Sequence, residues 1–84
     1  MRLAIYGKAG CCLCDNAEEI VRHLRREYTF EMERVDITHD LGLYDRYREA
    51  IPVLTLDGVE IARGRVAIAA VRTAFVKAAR SVQI

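Results

Sequence analysis

Cys11, Cys12 and Cys14 stand within four positions and are the residues of this chain best suited to chemistry. Cys11 and Cys14 form a Cys-x-x-Cys pair between a strand-like run, Leu3-Ala4-Ile5-Tyr6, and an amphipathic helix that opens near Leu13. A helix N-terminus carries partial positive charge and favours a thiolate on the first sulfur, and the spacing lets the second sulfur close a small disulfide ring. The arrangement reads as thiol-disulfide chemistry. Cysteines packed this tightly cannot staple distant segments, and a reducing compartment keeps such a pair available for reversible use.

Length and composition limit what surrounds the pair. An 84-residue chain buries only about 60–65% of its unfolded surface, too little to divide between two cores, so residues 1–84 are expected to form one domain. Apolar residues make up 52% and charged residues 30%, an ordinary balance for a folded soluble protein. The net charge of +1 gives no footprint for a polyanion, and nucleic acid is excluded as an expected partner. With lysine only at positions 8 and 77, arginine supplies 11 of the 13 basic residues (13 − 2), interleaved with Asp and Glu as on solvated helix faces. No apolar stretch reaches the roughly 18–20 residues needed to cross a bilayer, and Met1-Arg2 leads straight into a strand rather than a signal-peptide core. The expected location is the cytoplasm, away from membranes.

Along the chain, Arg2 to Tyr6 reads as a buried strand and Gly7-Lys8-Ala9-Gly10 as the flexible turn after it. A helix over Leu13 to Tyr28 places Ala17, Ile20, Val21, Leu24 and Tyr28 on one apolar stripe, with Asp15 in its first turn and arginines in its last. Thr29 to Ile37 alternates as a second strand with one slip of register, which a bulge would explain. Thr38 or Asp40 can cap a short helix over Leu41 to Glu49, although Gly42 weakens it. Ile51 to Leu56 is a strand, Asp57-Gly58 a two-residue hairpin turn, and Val59 to Ala62 the returning strand. After Gly64, a last helix over Val66 to Arg80 gathers Ala67, Ala70, Val71, Ala74, Phe75 and Ala78 on one face.

The order β-α-β-α-β-β-α demands a parallel pair from the first βαβ unit and an antiparallel pair from the Asp57-Gly58 turn. An α/β, four-stranded mixed sheet with helices on both faces satisfies both. This layout resembles the thioredoxin fold in its smallest form, with the Cys-x-x-Cys after the first strand and Ile51-Pro52-Val53 opening the third. The resemblance implies a cis-proline at Pro52 and a substrate-pairing backbone at Ile51. Sequence by itself admits a trans proline at the first residue of a strand as well, and the cysteines tip the expectation to cis.

A closer resemblance is to the short glutaredoxin-like proteins, in the group often labelled as a domain of unknown function, whose helix start reads Cys-x-Leu-Cys-(Asp/Glu)-x-Ala. Cys11-Cys12-Leu13-Cys14-Asp15-Asn16-Ala17 follows it, and Asp36-Ile37, Tyr47, Ile51-Pro52-Val53-Leu54, Leu56-Asp57-Gly58 and Gly64-Arg65 continue it. Such proteins look like thiol-disulfide oxidoreductases, acting on protein or low-molecular-weight disulfides with no tightly bound cofactor and with glutathione as a co-substrate. Cys11, at the exposed turn where helix N–H groups and Lys8 can stabilise negative charge, is expected to attack, and Cys14, one turn inside the helix, to resolve. Lys8 stands where many glutaredoxins carry a glutathione-contacting lysine; as a residue on its own it reads equally as a solvated turn lysine. One departure concerns glutathione's charged end: a Gly-Gly pair and an acidic residue are replaced by Arg63-Gly64-Arg65-Val66, where the two arginines could pair with a carboxylate or lie solvated.

Cys12 is read as a partly exposed bystander, with glutathione uptake or bridging of two molecules as its alternatives. His23 and His39 are read as surface residues, Tyr44 and Tyr47 as packing groups, and Tyr6 as a core residue near the site. Two other readings stand beside redox exchange. Cys11 and Cys14 could share a soft metal or an iron-sulfur cluster across a dimer, since one chain lacks the four ligands of a closed zinc site. The fold could also serve as a non-catalytic binding module that keeps its cysteines for packing.

Overall fold

The computed structural model describes residues 1–82 and orders them as β1 (Arg2–Gly7), α1 (Cys12–Leu24), β2 (Glu31–Asp36), a 3-10 turn (Ile37–His39), α2 (Leu41–Tyr47), β3 (Val53–Leu56), β4 (Val59–Arg63) and α3 (Ile68–Val82). This is the expected β-α-β-α-β-β-α order; residues 83–84 of the expected domain lie outside the described residues. The four strands form one mixed sheet in the order β2-β1-β3-β4. β1 and β2 are parallel, with Arg2 opposite Glu31 and Gly7 opposite Asp36, because α1 carries the chain back across the sheet. β3 runs antiparallel to both β1 and β4. Asp57 and Gly58 both have positive φ, 51° and 87°, as the two central residues of a tight hairpin turn matched to strand twist require.

Alternation along the strands sorts side chains between the two faces. Leu3 and Ile5 of β1 and Leu54 and Leu56 of β3 meet Ala17, Val21 and Leu24 of α1 and Val71 and Phe75 of α3 in one buried cluster. Phe75 is wholly buried, and its ring centroid lies 4.6 Å from that of Phe30 and 5.2 Å from that of Tyr28. Tyr6, pointing the other way, meets the Tyr47 ring of α2 at 5.2 Å. Tyr47 is thus a packing group, and helices stand on both faces.

Several boundaries differ from the sequence expectation, each for a local reason. α1 stops at Leu24, not Tyr28: beyond it the chain tightens into i→i−3 bonds, Arg26 N donating to His23 O at 3.2 Å and Glu27 N to Leu24 O at 2.9 Å. Past that turn Tyr28 stacks on Phe75. The slip of register in β2 is not a bulge, since its pairing with β1 runs unbroken; the polar residue Arg34 reaches Asp15 and Glu18 of α1 at 3.3 and 3.4 Å. The irregularity lies instead between Leu54 and Thr55, where β3 pairs β4. Ile37 leaves the strand because the Asp36 carboxylate accepts from Thr38 N and starts the 3-10 turn. Asp40, not Thr38, caps α2, accepting from Gly42 N and Leu43 N, and α2 ends at Tyr47 rather than Glu49. α3 begins at Ile68, so Val66 enters the core from the preceding loop while Ala67 and Ala70 are exposed.

The aromatic cluster on Phe75 holds α3 to the sheet and to the end of α1. Phe75→Ala is expected to lower unfolding free energy by about 3–5 kcal/mol, the usual cost of removing a buried aromatic ring. Urea unfolding followed by circular dichroism checks this.

Candidate functional site

The cysteine turn sits at the C-terminal end of β1. Gly10, at φ 76°, lets the chain reverse there into α1. Cys11 takes extended backbone angles, φ −95° and ψ 109°, and acts as the N-cap of α1. Its sulfur accepts a hydrogen bond from Cys14 N at 3.2 Å, and its carbonyl accepts from Asp15 N at 3.1 Å. One orphan N–H of the helix start, that of Cys14, thus points at a sulfur that sits where a serine or aspartate oxygen usually caps. Cys11 and Cys14 are joined as a disulfide with Cα atoms 5.2 Å apart, an ordinary span for a bridge. Cys11 is half-buried and Cys14 wholly buried, so of the two residues only Cys11 meets solvent. Cys12 is a free, exposed thiol at the first helical position.

Gly7 was expected in a flexible turn, but it is the last residue of β1, buried and in register with Asp36. A Cβ built on it would lie 2.7 Å from Cys14 Sγ and 3.2 Å from Cys14 Cβ. The end of the strand and the buried sulfur are therefore in direct contact. A glycine inside a strand marks a bulge or a close approach, and here it is the approach of Cys14.

The loop before β3 lies at the same end of the sheet. Val53 is opposite Tyr6, so Pro52 enters the sheet beside the end of β1, and the Ile51-Pro52 peptide bond is cis. The Tyr47 carbonyl accepts from Ala50 N at 2.8 Å and Ile51 N at 3.0 Å, and Gly64 N donates to Ala50 O and Pro52 O at 3.0 and 2.8 Å. Those bonds fix Ile51, Pro52 and Gly64 relative to one another. Pro52 is buried and Ile51 half-buried. Arg65 is exposed and has no carboxylate partner among the described residues. Arg63 is spoken for: its guanidinium donates to both oxygens of Glu60, at 2.8 and 2.6 Å. That pairing holds the Glu60 carboxyl below, and the Arg63 guanidinium above, their usual ranges.

Lys8 is exposed and lines a recess of about 420 Å³ with Gly7, Ala9, Asp15, Arg34 and Asp36. In this recess Arg34 pairs with Asp15, and the Asp36 carboxylate accepts from the Thr38 hydroxyl and backbone N–H. Asp36 is held below the ordinary carboxylate range, first by the Thr38 hydroxyl and then by the Thr38 backbone N–H. His23 and His39 are exposed, and the His39 ring stands 3.9 Å from Asp36. Among the described residues no three His, Cys, Asp or Glu side chains gather into a metal-holding group.

A family model described as a glutaredoxin-like domain (DUF836) matches residues 2–76. A solved structure from X. campestris is similar with a TM-score of 0.74 at 28% identity, covering 90% of this chain and 96% of that one. A Nitrosomonas europaea protein is similar with a TM-score of 0.75 at 25% identity, over 87% and 88% of the two chains. Reduced Escherichia coli glutaredoxin matches with a TM-score of 0.62 at 25% identity, over 92% and 94%. The likeness covers nearly the whole chain and joins the fold to a cysteine pair at disulfide distance.

The recess gives a pH prediction. Because the folded Asp36 carboxyl is held below its usual range, its bonds to Thr38 stabilise the protein above the unfolded value, near pH 4, and that contribution is lost as pH falls through the lowered folded value. Thr38→Val removes the hydroxyl donor, and an NMR titration of the Asp36 side chain is expected to show its midpoint rising toward the ordinary carboxylate value.

Proposed function

The chain belongs to the glutaredoxin-like domain family, DUF836, and from that premise we propose that it is a thiol-disulfide oxidoreductase in which Cys11 attacks and Cys14 resolves. The observation that carries this reading is the unequal pair: a half-buried Cys11 sulfur capping α1 and a wholly buried Cys14 sulfur joined to it. The helix start and the Cys14 N–H favour negative charge on Cys11. Solvent-facing Cys11 thiolate attacks one sulfur of a substrate disulfide, forming a mixed disulfide and expelling the other sulfur as a thiolate. Cys14 then gives up its proton and attacks Cys11; the ring closes, the substrate sulfur leaves as a thiolate, and both substrate thiolates take up protons. Two electrons pass from the dithiol to the substrate.

Substrates on this reading are protein or low-molecular-weight disulfides, with glutathione as the co-substrate that reopens the ring. Ile51 offers its backbone to an extended substrate as it enters beside Pro52, and Lys8, Gly64 and Arg65 border the approach. Lys8 and Arg65 supply exposed positive charge for a substrate carboxylate. A reducing compartment such as the cytoplasm suits a pair that must reopen. Among the described residues no helix is long and apolar enough to cross a membrane.

Cys11→Ser is expected to abolish disulfide reduction, whereas Cys14→Ser leaves a trapped mixed disulfide on Cys11 visible by intact-mass spectrometry. Equal turnover in both variants and the wild type would sink the assignment. Replacing Pro52 with leucine is expected to slow exchange with a protein disulfide by about ten- to a hundredfold, through misplacement of the substrate, and to slow oxidation of the dithiol less. Stopped-flow exchange rates compared with oxidation rates check the second expectation.

A further inference from the structure

Glycine at position 7 is not demanded by the backbone. The residue closes a regular strand, and the described glycines with positive φ are Gly10, Gly58 and Gly64. Nor is it demanded by the general core, because the atoms that a methyl group there would meet are Cys14 Sγ and Cys14 Cβ. At 2.7 Å from the sulfur the added carbon would lie well inside van der Waals contact, and at 3.2 Å from Cys14 Cβ it would press on the helix itself. Cys14 has little freedom to yield. Its backbone is in the first turn of α1, its side chain is wholly buried, and the same stripe of α1 packs Ala17 and Val21 into the core.

We propose that Gly7 is a positioning residue for the resolving sulfur: the missing side chain at the end of β1 leaves the space in which Cys14 Sγ stands when it reaches Cys11. The inference rests on the redox reading above and deepens it by assigning the geometry of ring closure to a residue that takes no part in the chemistry. No Cys11 atom lies within 4 Å of a side-chain carbon at position 7. A methyl group at position 7 therefore acts on the second step. Attack by Cys11 still yields the mixed disulfide, but the Cys14 thiolate, displaced from its seat, closes the ring and releases the substrate thiolate less readily. The closed ring is also disfavoured relative to the open dithiol, which makes the pair more oxidising.

The test uses the full chain with oxidised and reduced glutathione as reagents, comparing wild type with Gly7→Ala. Quenched samples are resolved by mass spectrometry into open dithiol, mixed disulfide and Cys11-Cys14 ring. The expected result is a tenfold or greater fall in the equilibrium constant for ring closure, equivalent to a rise of about 30 mV in the two-electron potential, together with accumulation of mixed disulfide on Cys11. A loss of packing alone would lower stability without moving that distribution. An unchanged distribution in Gly7→Ala beside a wild type that does close its ring overturns the inference and leaves the redox reading intact. A wild type that never closes the ring overturns both. If Gly7→Ala does not fold, Gly7→Ala combined with Cys14→Ala decides the matter: a folded double variant shows that the sulfur was the obstacle, and an unfolded one overturns the assignment.

Discussion

The contact between the end of β1 and the first turn of α1 is the constraint on which the rest of the arrangement depends. Gly7 has no side chain, the Cys14 sulfur fills that space, and the helix is seated against the sheet at its very start. From there Cys14, Ala17, Val21 and Leu24 follow one another at helical spacing, all wholly buried. The Cys14 sulfur thus belongs to the first member of the stripe that builds the core. A helix held this way at its N-terminus sets the crossover that makes β1 and β2 parallel, and Arg34 of β2 closes the loop by pairing back to Asp15 and Glu18.

That seating separates two sulfurs that are only three residues apart. Cys11 lies outside the helix, in extended conformation, and receives the Cys14 N–H as any capping atom would. Cys14 lies inside, against Gly7. Cys14 is buried among apolar side chains and Cys11 stands at the helix start, so the two sulfurs differ by position rather than by residue type. The capping position held here by the Cys11 sulfur is one that an oxygen acceptor usually fills, and sulfur is the weaker acceptor.

Much of this was legible in the sequence. The order of elements, the mixed sheet, the hairpin at Asp57-Gly58 and the cysteine pair at a strand-to-helix turn all rest on local signals: apolar periodicity, turn chemistry and motif spacing. What was not legible depends on contacts between distant segments. Tyr28 fits the helical stripe of α1, yet it lies past a turn and stacks on Phe75 of α3. Arg34 looks like a break in the alternation of β2 until α1 supplies Asp15 and Glu18 as its partners. Gly7 reads as turn punctuation because nothing local reveals that a sulfur seven residues later occupies the space of its missing side chain.

Charge around the site follows the same logic of prior commitments. The chain carries many arginines, but those nearest the cysteine end of the sheet are largely engaged: Arg34 holds α1, and Arg63 grips Glu60 within β4. Surface ion pairs of this kind add little stability, yet each one neutralises a cation that would otherwise contribute to the field at the site. Lys8, just after β1, and Arg65, just before α3, are exposed and have no carboxylate partner within ion-pair distance among the described residues. They flank the two loops that carry the cysteines and the cis-proline. Near the cysteine end of the sheet Lys8 and Arg65 thus stand as exposed cations, a local feature that a net charge of +1 averaged over the chain conceals.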